Sequence, residues 1–329
     1  MKTKIIAGIG IAVLAIALII GLKPKSFDKQ LSKAMKGMSS YTLEGEMELI
    51  KGEDTKSYII QVSYLDDKDK DNYKVSLFDK NLNQEQVILA NKSGVFVVTP
   101  SLNQIFKFEG DWPMNSPKPY LLQTMLDVVE NDKAVIKKES DGYLVSSEVS
   151  YANNKSYTRQ EMLFDKDTKI KWVQIYNKDN VAELKLVFNK VEYNNELKEE
   201  FFKEPSNLEK SESKETIGKE DLPMYPVEVF NAQLSNASVV DNEDGVKHIL
   251  DFKGDKSFTV IEKIKEVSKE TQSVVMGGVL VDSMDVIGVY DGNSMSAINN
   301  NLEISVFSDE LDPQEMLSVI QSMQVSVMK

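Results

Sequence analysis

Few residues in this chain could carry chemistry. His248 is the only histidine, and there is no cysteine. One imidazole, without a thiol or a nucleophile motif, supports neither a catalytic triad nor a zinc site built from several histidines. Set in Val-Lys-His-Ile-Leu, it reads as a surface or edge residue of a strand. Asp67-Lys-Asp-Lys-Asp71-Asn72 begins like a calcium loop, but the sixth and twelfth positions, which need glycine and glutamate, hold Asn72 and Phe78. It reads as a solvated hairpin loop. The 52 acidic residues could include an acid pair of the glycosidase kind, yet nothing marks two of them as buried together. The glycines are scattered, and Gly277-Gly278 falls inside a strand-like run, so there is no phosphate loop. The expectation is no catalytic, cofactor or metal residue, and no enzyme. Recognition has one better candidate. Trp112, Pro113 and Met114, followed by Tyr120, Leu121 and Met125, lie between strand-like and helix-like segments. Such residues could form a pocket mouth or docking patch, or simply anchor a loop.

Composition narrows the partners. The chain has 329 residues, 41% hydrophobic and 28% charged, which is room for two domains with real cores. Without cysteine there is no disulfide scaffold and no lipidated thiol. The net charge is −13. Four lysines and no acid stand in the first 25 residues, which leaves −17 on the rest. Only Arg159 among the 39 basic residues is an arginine. An acidic body with one guanidinium is a poor partner for nucleic acid.

Those residues must be positioned by elements whose periods are legible. Ile5–Leu22 is 18 residues without a charge or a side-chain amide, preceded by Lys2 and Lys4 and followed by Lys23-Pro-Lys25. At 1.5 Å per residue it reaches about 27 Å, the depth of a bilayer core. No small-x-small cleavage pattern follows, so it reads as one transmembrane anchor. Ser26–Met38 has Phe27, Leu31, Met35 and Met38 at helical spacing. From Tyr41 the period becomes two, and about eleven short antiparallel strands run to Tyr193. One helix, Tyr120–Asn131, interrupts them after Pro117 and Pro119. Residues 206–221 read as a linker without apolar period. Beyond it come strand-like runs at 227–232, 246–252, 256–263, 273–281, 284–290, 295–298 and 302–307. A helix closes the chain, opened by Asp312-Pro-Gln-Glu315. The organisation is therefore 1–25 anchor, 26–205 β domain, 206–221 linker and 222–329 C-terminal α+β domain.

Certain stretches resemble a known family. Val95–Asn103, Phe106-Lys-Phe108, Asp111-Trp-Pro113, Asn115-Ser116 and Tyr120-Leu121 are similar to the LolA-like, lipoprotein-sorting-like proteins of spore-forming bacteria. Leu186–Asn195 with Phe201, Phe202 and Pro205 resembles the end of a LolA-type domain. Gly254–Ile261 and Pro313–Met323 resemble the C-terminal extension of the family's sporulation members. The resemblance implies an α+β, mostly antiparallel fold: an open, curved β-barrel plugged by helices, on the extracytoplasmic side of the cell membrane. It implies either a scaffold for a protein partner, such as an envelope or cortex enzyme, or a carrier for a lipid or acyl chain. An envelope hydrolase is a third reading, and would need clustered carboxylates in a cleft. The family's lipidated members carry a cysteine that this chain lacks, and Ile5–Leu22 would replace the lipid as anchor.

Overall fold

A computed structural model of the chain describes residues 26–325, apart from 53, 68–69, 109–117, 152–153, 207, 209–216, 244 and 300. The expected membrane helix and Trp112, Pro113 and Met114 lie outside the described residues. No helix among the described residues is long and apolar enough to cross a membrane.

Helix α1 (Phe27–Lys36) buries Phe27, Leu31 and Met35 and turns its lysines outward. Ser26 stands at its cap position, but its side chain makes no capping bond. The strands follow as β1 (Ser40–Lys51), β2 (Asp54–Leu65), β3 (Asn72–Asp79), β4 (Gln84–Asn91), β5 (Gly94–Thr99) and β6 (Gln104–Phe108). Helix α2 (Leu122–Val129) comes next, then β7 (Val135–Glu139), β8 (Gly142–Glu148), β9 (Arg159–Phe164), β10 (Ile170–Tyr176) and β11 (Ala182–Tyr193). Alternation works as the sequence predicts. Tyr41, Leu43 and Met47 of β1 pair across to Tyr64, Val62 and Tyr58 of β2, and all six are buried on one face. β1 carries a bulge between Glu44 and Gly45, where a β-carbon on Gly45 would collide with the Val187 carbonyl. Bulges of this kind bend a sheet.

The C-terminal part contains β12 (Met224–Pro226), β13 (Gln233–Asn242), β14 (Gly245–Lys253), β15 (Phe258–Ile264), β16 (Gln272–Met276), β17 (Val279–Asp282), β18 (Ile287–Asp291), β19 (Ser294–Asn299) and β20 (Leu302–Phe307), then α3 (Pro313–Gln321) and β21 (Met323–Val325). Strands β13-β14-β15-β20-β19-β18-β17 form a seven-stranded antiparallel sheet, and β12 pairs with β21. Helix α3 opens with the expected box: Asp312 accepts from the Glu315 N–H at 2.9 Å, and Glu315 accepts from the Asp312 N–H at 2.9 Å. Met316, Leu317, Val319 and Ile320 bury its inner face.

Three details differ from the sequence reading. Residues 227–232 are irregular, and the strand lies one step later, at β13, whose ten residues are all exposed and so give no burial alternation to read. Helix α2 is shorter than expected at both ends because Leu121 is extended and Glu130 caps it, leaving Pro119 in the preceding turn. The run 273–281 is two strands in two sheets. β16 joins β6 in the one parallel pairing among the described strands, at the end of a twelve-stranded sheet ordered β16-β6-β5-β4-β3-β2-β1-β11-β10-β9-β8-β7. That sheet carries register shifts in β1 and β10, the kind that bend a sheet, and is not closed, because β16 and β7 stand at its opposite ends.

Candidate functional site

The inner face of the large sheet is occupied by the chain's own side chains. Helices α1 and α2 lay their apolar stripes on it, and Leu31, Leu43, Met47, Ile60, Met125 and Met162 are fully buried there. Met284, from the loop between β17 and β18, enters the same core. Of the sequence-selected recognition residues, Tyr120, Leu121 and Met125 are brought together, and they belong to this interior with at most 2% of their surface exposed. Tyr41, Tyr64 and Tyr73 stand side by side on β1, β2 and β3, with ring centres 5.0 Å apart at each step. The Tyr41 hydroxyl donates to Gln123 Oε1 of α2 at 2.9 Å. Burial pushes the phenol of Tyr41 well above its ordinary pKa.

A polar cluster lies where Met284 enters. Asp285 accepts from Lys56 Nζ at 2.9 Å and from the Tyr58 hydroxyl at 3.1 Å, both on β2, and from Gln321 Nε2 of α3 at 2.9 Å. Gln321 Nε2 also donates to Ser283 Oγ at 2.7 Å. Lys118, which is fully buried, donates through Nζ to the Ser283 carbonyl oxygen. Burial pushes the Asp285 carboxyl up, but the Lys56 ammonium and the hydrogen bonds from Lys56, Gln321 and Tyr58 outweigh it and hold the carboxyl below its ordinary value. The Asp285 charge in turn raises Lys56 against the cost of burial. Four segments of the chain, at 56–58, 118, 283–285 and 321, meet at this one carboxylate and its loop.

A second buried acid is less well served. Glu262 of β15 has no exposed surface. One oxygen accepts from the Met224 N–H at 3.1 Å, and the other has no hydrogen-bond partner. Burial raises its pKa to about 7, with the Met224 bond pulling weakly the other way. His248 stands directly opposite on β14, and its buried Nδ1 also has no partner. The bonds of the two buried acids therefore go to lysine, tyrosine, glutamine, serine and backbone groups. Among the described residues, no group of three or more His, Asp or Glu could hold a metal ion.

Among the described residues, two of the open grooves stand out. One, of about 870 Å³, lies between the start of α1, the end of α2 and the β7–β8 hairpin. Ser26, Phe27, Val129, Ile136 and Tyr143 are among its walls, and Phe27 stacks on Tyr143 with ring centres 3.7 Å apart. The other, of about 480 Å³, is polar and lined by Asp66, Asp67, Lys198, Glu199 and Glu200.

No family model matches the chain. The sporulation protein YdcC of Bacillus subtilis (strain 168) is 30% identical over 301 residues, which is 89% of this chain and 88% of that protein. The chain belongs to the YdcC family. Solved structures with lower similarity include MucB of Pseudomonas aeruginosa in complex with MucA, at 10% identity with a TM-score of 0.31. That match covers 91% of this chain and 99% of the other. A conserved protein of Thermus thermophilus gives 11% and 0.39, with 56% and 97% covered. A LolA superfamily protein of Nitrosomonas europaea gives 11% and 0.29, with 53% and 96% covered.

In this YdcC-family chain the Asp285 cluster escapes a reading by motif, yet one of its members and, separately, Glu262 leave a trace in the sequence. Lys56 has the same parity as Tyr58, Ile60, Val62 and Tyr64, so a cation stands in line with an inward face. Glu262 likewise follows Phe258 and Val260 at period two. A charge at a core parity is a signal of a buried partner or a shifted pKa. Asp285 itself sits in a loop, where no period applies.

Proposed function

We propose that this chain is a single-pass membrane protein whose body lies on the extracytoplasmic side, and that it is a binding or scaffold protein rather than an enzyme. In this reading it acts through a protein partner in sporulation, germination or upkeep of the cell envelope. The observation that carries the reading is the filled interior. Helices α1 and α2 and Met284 occupy the inner face of the large sheet, so the surface is what remains to work with. Kinship with a sporulation protein supplies the setting, and the uncharged run Ile5–Leu22 supplies the anchor. The acidic surface favours a protein with basic patches over nucleic acid or anionic lipid.

One observation favours a second reading, a carrier of a lipid or acyl chain. The groove walled by Phe27, Ile136 and Tyr143 begins at Ser26, four residues after the anchor run ends. Native mass spectrometry of the full chain, released from membranes into a mild detergent, separates the two. A mass matching the bare chain supports the scaffold reading, and a retained lipid mass supports the carrier. The anchor and its orientation are tested on intact cells stripped of their wall. Added protease should digest the body, and alkaline carbonate should leave the protein in the membrane pellet.

A further inference from the structure

The two large sheets have four end strands, and they are not equally protected. Sheet edges expose unpaired N–H and C=O groups, and natural proteins blunt them with charges, prolines or bulges. At one end of the large sheet, β7 carries exposed Lys137, Lys138 and Glu139. At one end of the smaller sheet, β13 is as free of charge as β16 up to Asp241 and exposes Leu234, Val239 and Val240, but a bulge between Leu234 and Asn236 breaks its edge. The two remaining ends are β16 and β17. They are consecutive in the chain, joined by Gly277-Gly278, with Gly278 at φ +101°. From Thr271 to Val281 eleven residues pass without a charge, in a chain that is 28% charged. Val275 and Val279 are each 65% exposed.

Among the described residues, no strand covers the outer side of β16, and the Leu208 N–H donates to Thr271 Oγ1 at 3.3 Å just before it. The Gln272 N–H donates to the Asn103 carbonyl at 3.1 Å. Alternation along a parallel ladder then turns the N–H and C=O of Ser273 and Val275 away from β6. No described strand pairs with that side. Water satisfies such a row in the free protein, and a second extended backbone can replace it by adding a strand.

We propose that β16, at the junction with β17, is the docking edge for an extended segment of a partner protein, uncharged at its centre and flanked by lysine or arginine. This deepens the partner-binding reading above and rests on it. Charge argues for such a partner over a second copy of this chain. Two copies would bring together bodies of −17 each, whereas basic flanks are drawn to that net negative charge; the segment leading into β16 is itself balanced, with Lys265 and Lys269 beside Glu266 and Glu270. Backbone pairing supplies affinity, and the exposed valines of alternating face supply the side-chain contact.

The test uses the full chain in nanodiscs and a fluorescent peptide of alternating threonine and valine with lysines at both ends. Its twin carries N-methyl groups on alternate residues, which remove backbone donors. Saturable binding of the peptide is expected, with loss of binding by the methylated twin. Val275→Lys should weaken binding about tenfold or more, while Val239→Lys on β13 changes it less than about twofold. No saturable binding, equal binding of the twin, or equal loss in both variants overturns the proposal. Photo-cross-linking in the membranes of the producing cell separates this failure from that of the broader reading, with benzoylphenylalanine replacing Val275 or Val239. Adducts to another protein from position 239 but not 275 sink the edge and leave the partner reading standing. Adducts to a second copy from position 275 replace the proposed occupant. Adducts from neither position count against both readings.

Discussion

Glu262 shows how one carboxylate can make stability depend on pH. Its pKa is about 7 in the folded chain against 4.5 for the free group. Between those values the folded state keeps a proton that the unfolded state has lost, so stability falls as pH rises from about 4.5 to about 7 and is level above. Glu262→Gln keeps the acceptor for the Met224 N–H and removes the ionisation. In urea titrations across that range, the variant should gain on the wild type by about 3 kcal/mol in total, nearly all of it by pH 7. A constant offset would mean that Glu262 does not titrate there. Asp285 has the opposite sign. Its carboxyl is held below the ordinary value, so its contribution is present above pH 4 and is lost in more acid solution as it protonates. Asp285→Asn should cost about 2 kcal/mol at neutral pH, a figure reduced because Lys56 is half-exposed and can turn to water. Combining it with Lys56→Met should recover part of the loss if the pair is coupled.

At the scale of elements, the two candidate helix caps make a matched comparison. Asp312 closes a full capping box on α3, so Asp312→Ala should lower stability by about 1 kcal/mol. Ser26 makes no capping bond to α1, so Ser26→Ala should change the thermal midpoint little. Leu31→Ala, which empties a fully buried site on α1, should cost about 2–5 kcal/mol. Calorimetry of the three variants ranks them. The capping box and the α1 stripe were legible because they are local patterns, and so were strands such as β1, β2, β9 and β10, whose inner and outer faces differ. β13 was not, because it is exposed on every residue. Nor was the break at Gly277-Gly278, because each side reads as apolar strand and only tertiary pairing sends the halves to different sheets. The recognition patch was legible as composition only. The sequence marks Tyr120, Leu121 and Met125 as apolar, and packing decides that they fill the interior rather than face a partner.

At the scale of the whole molecule, the boundary near residue 206 separates parts that share structure. The C-terminal part gives β16 to the large sheet, Met284 to its core and Asp285 to Lys56 and Tyr58. A piece ending at residue 205 lacks all three. It should bind the dye ANS and show a lower unfolding midpoint, while the full chain leaves the dye free. The β16–β6 pairing also sets an order in time. Gln104 meets Gln272, 168 residues later. At ordinary rates of synthesis β6 waits roughly 10–30 s for its neighbour. Until then a copy carries an open edge and an unfilled slot for Met284, both of which a protease can sense. The late strand thus serves as a certificate of completion, and an interrupted copy is distinguishable from a finished one by its folding alone.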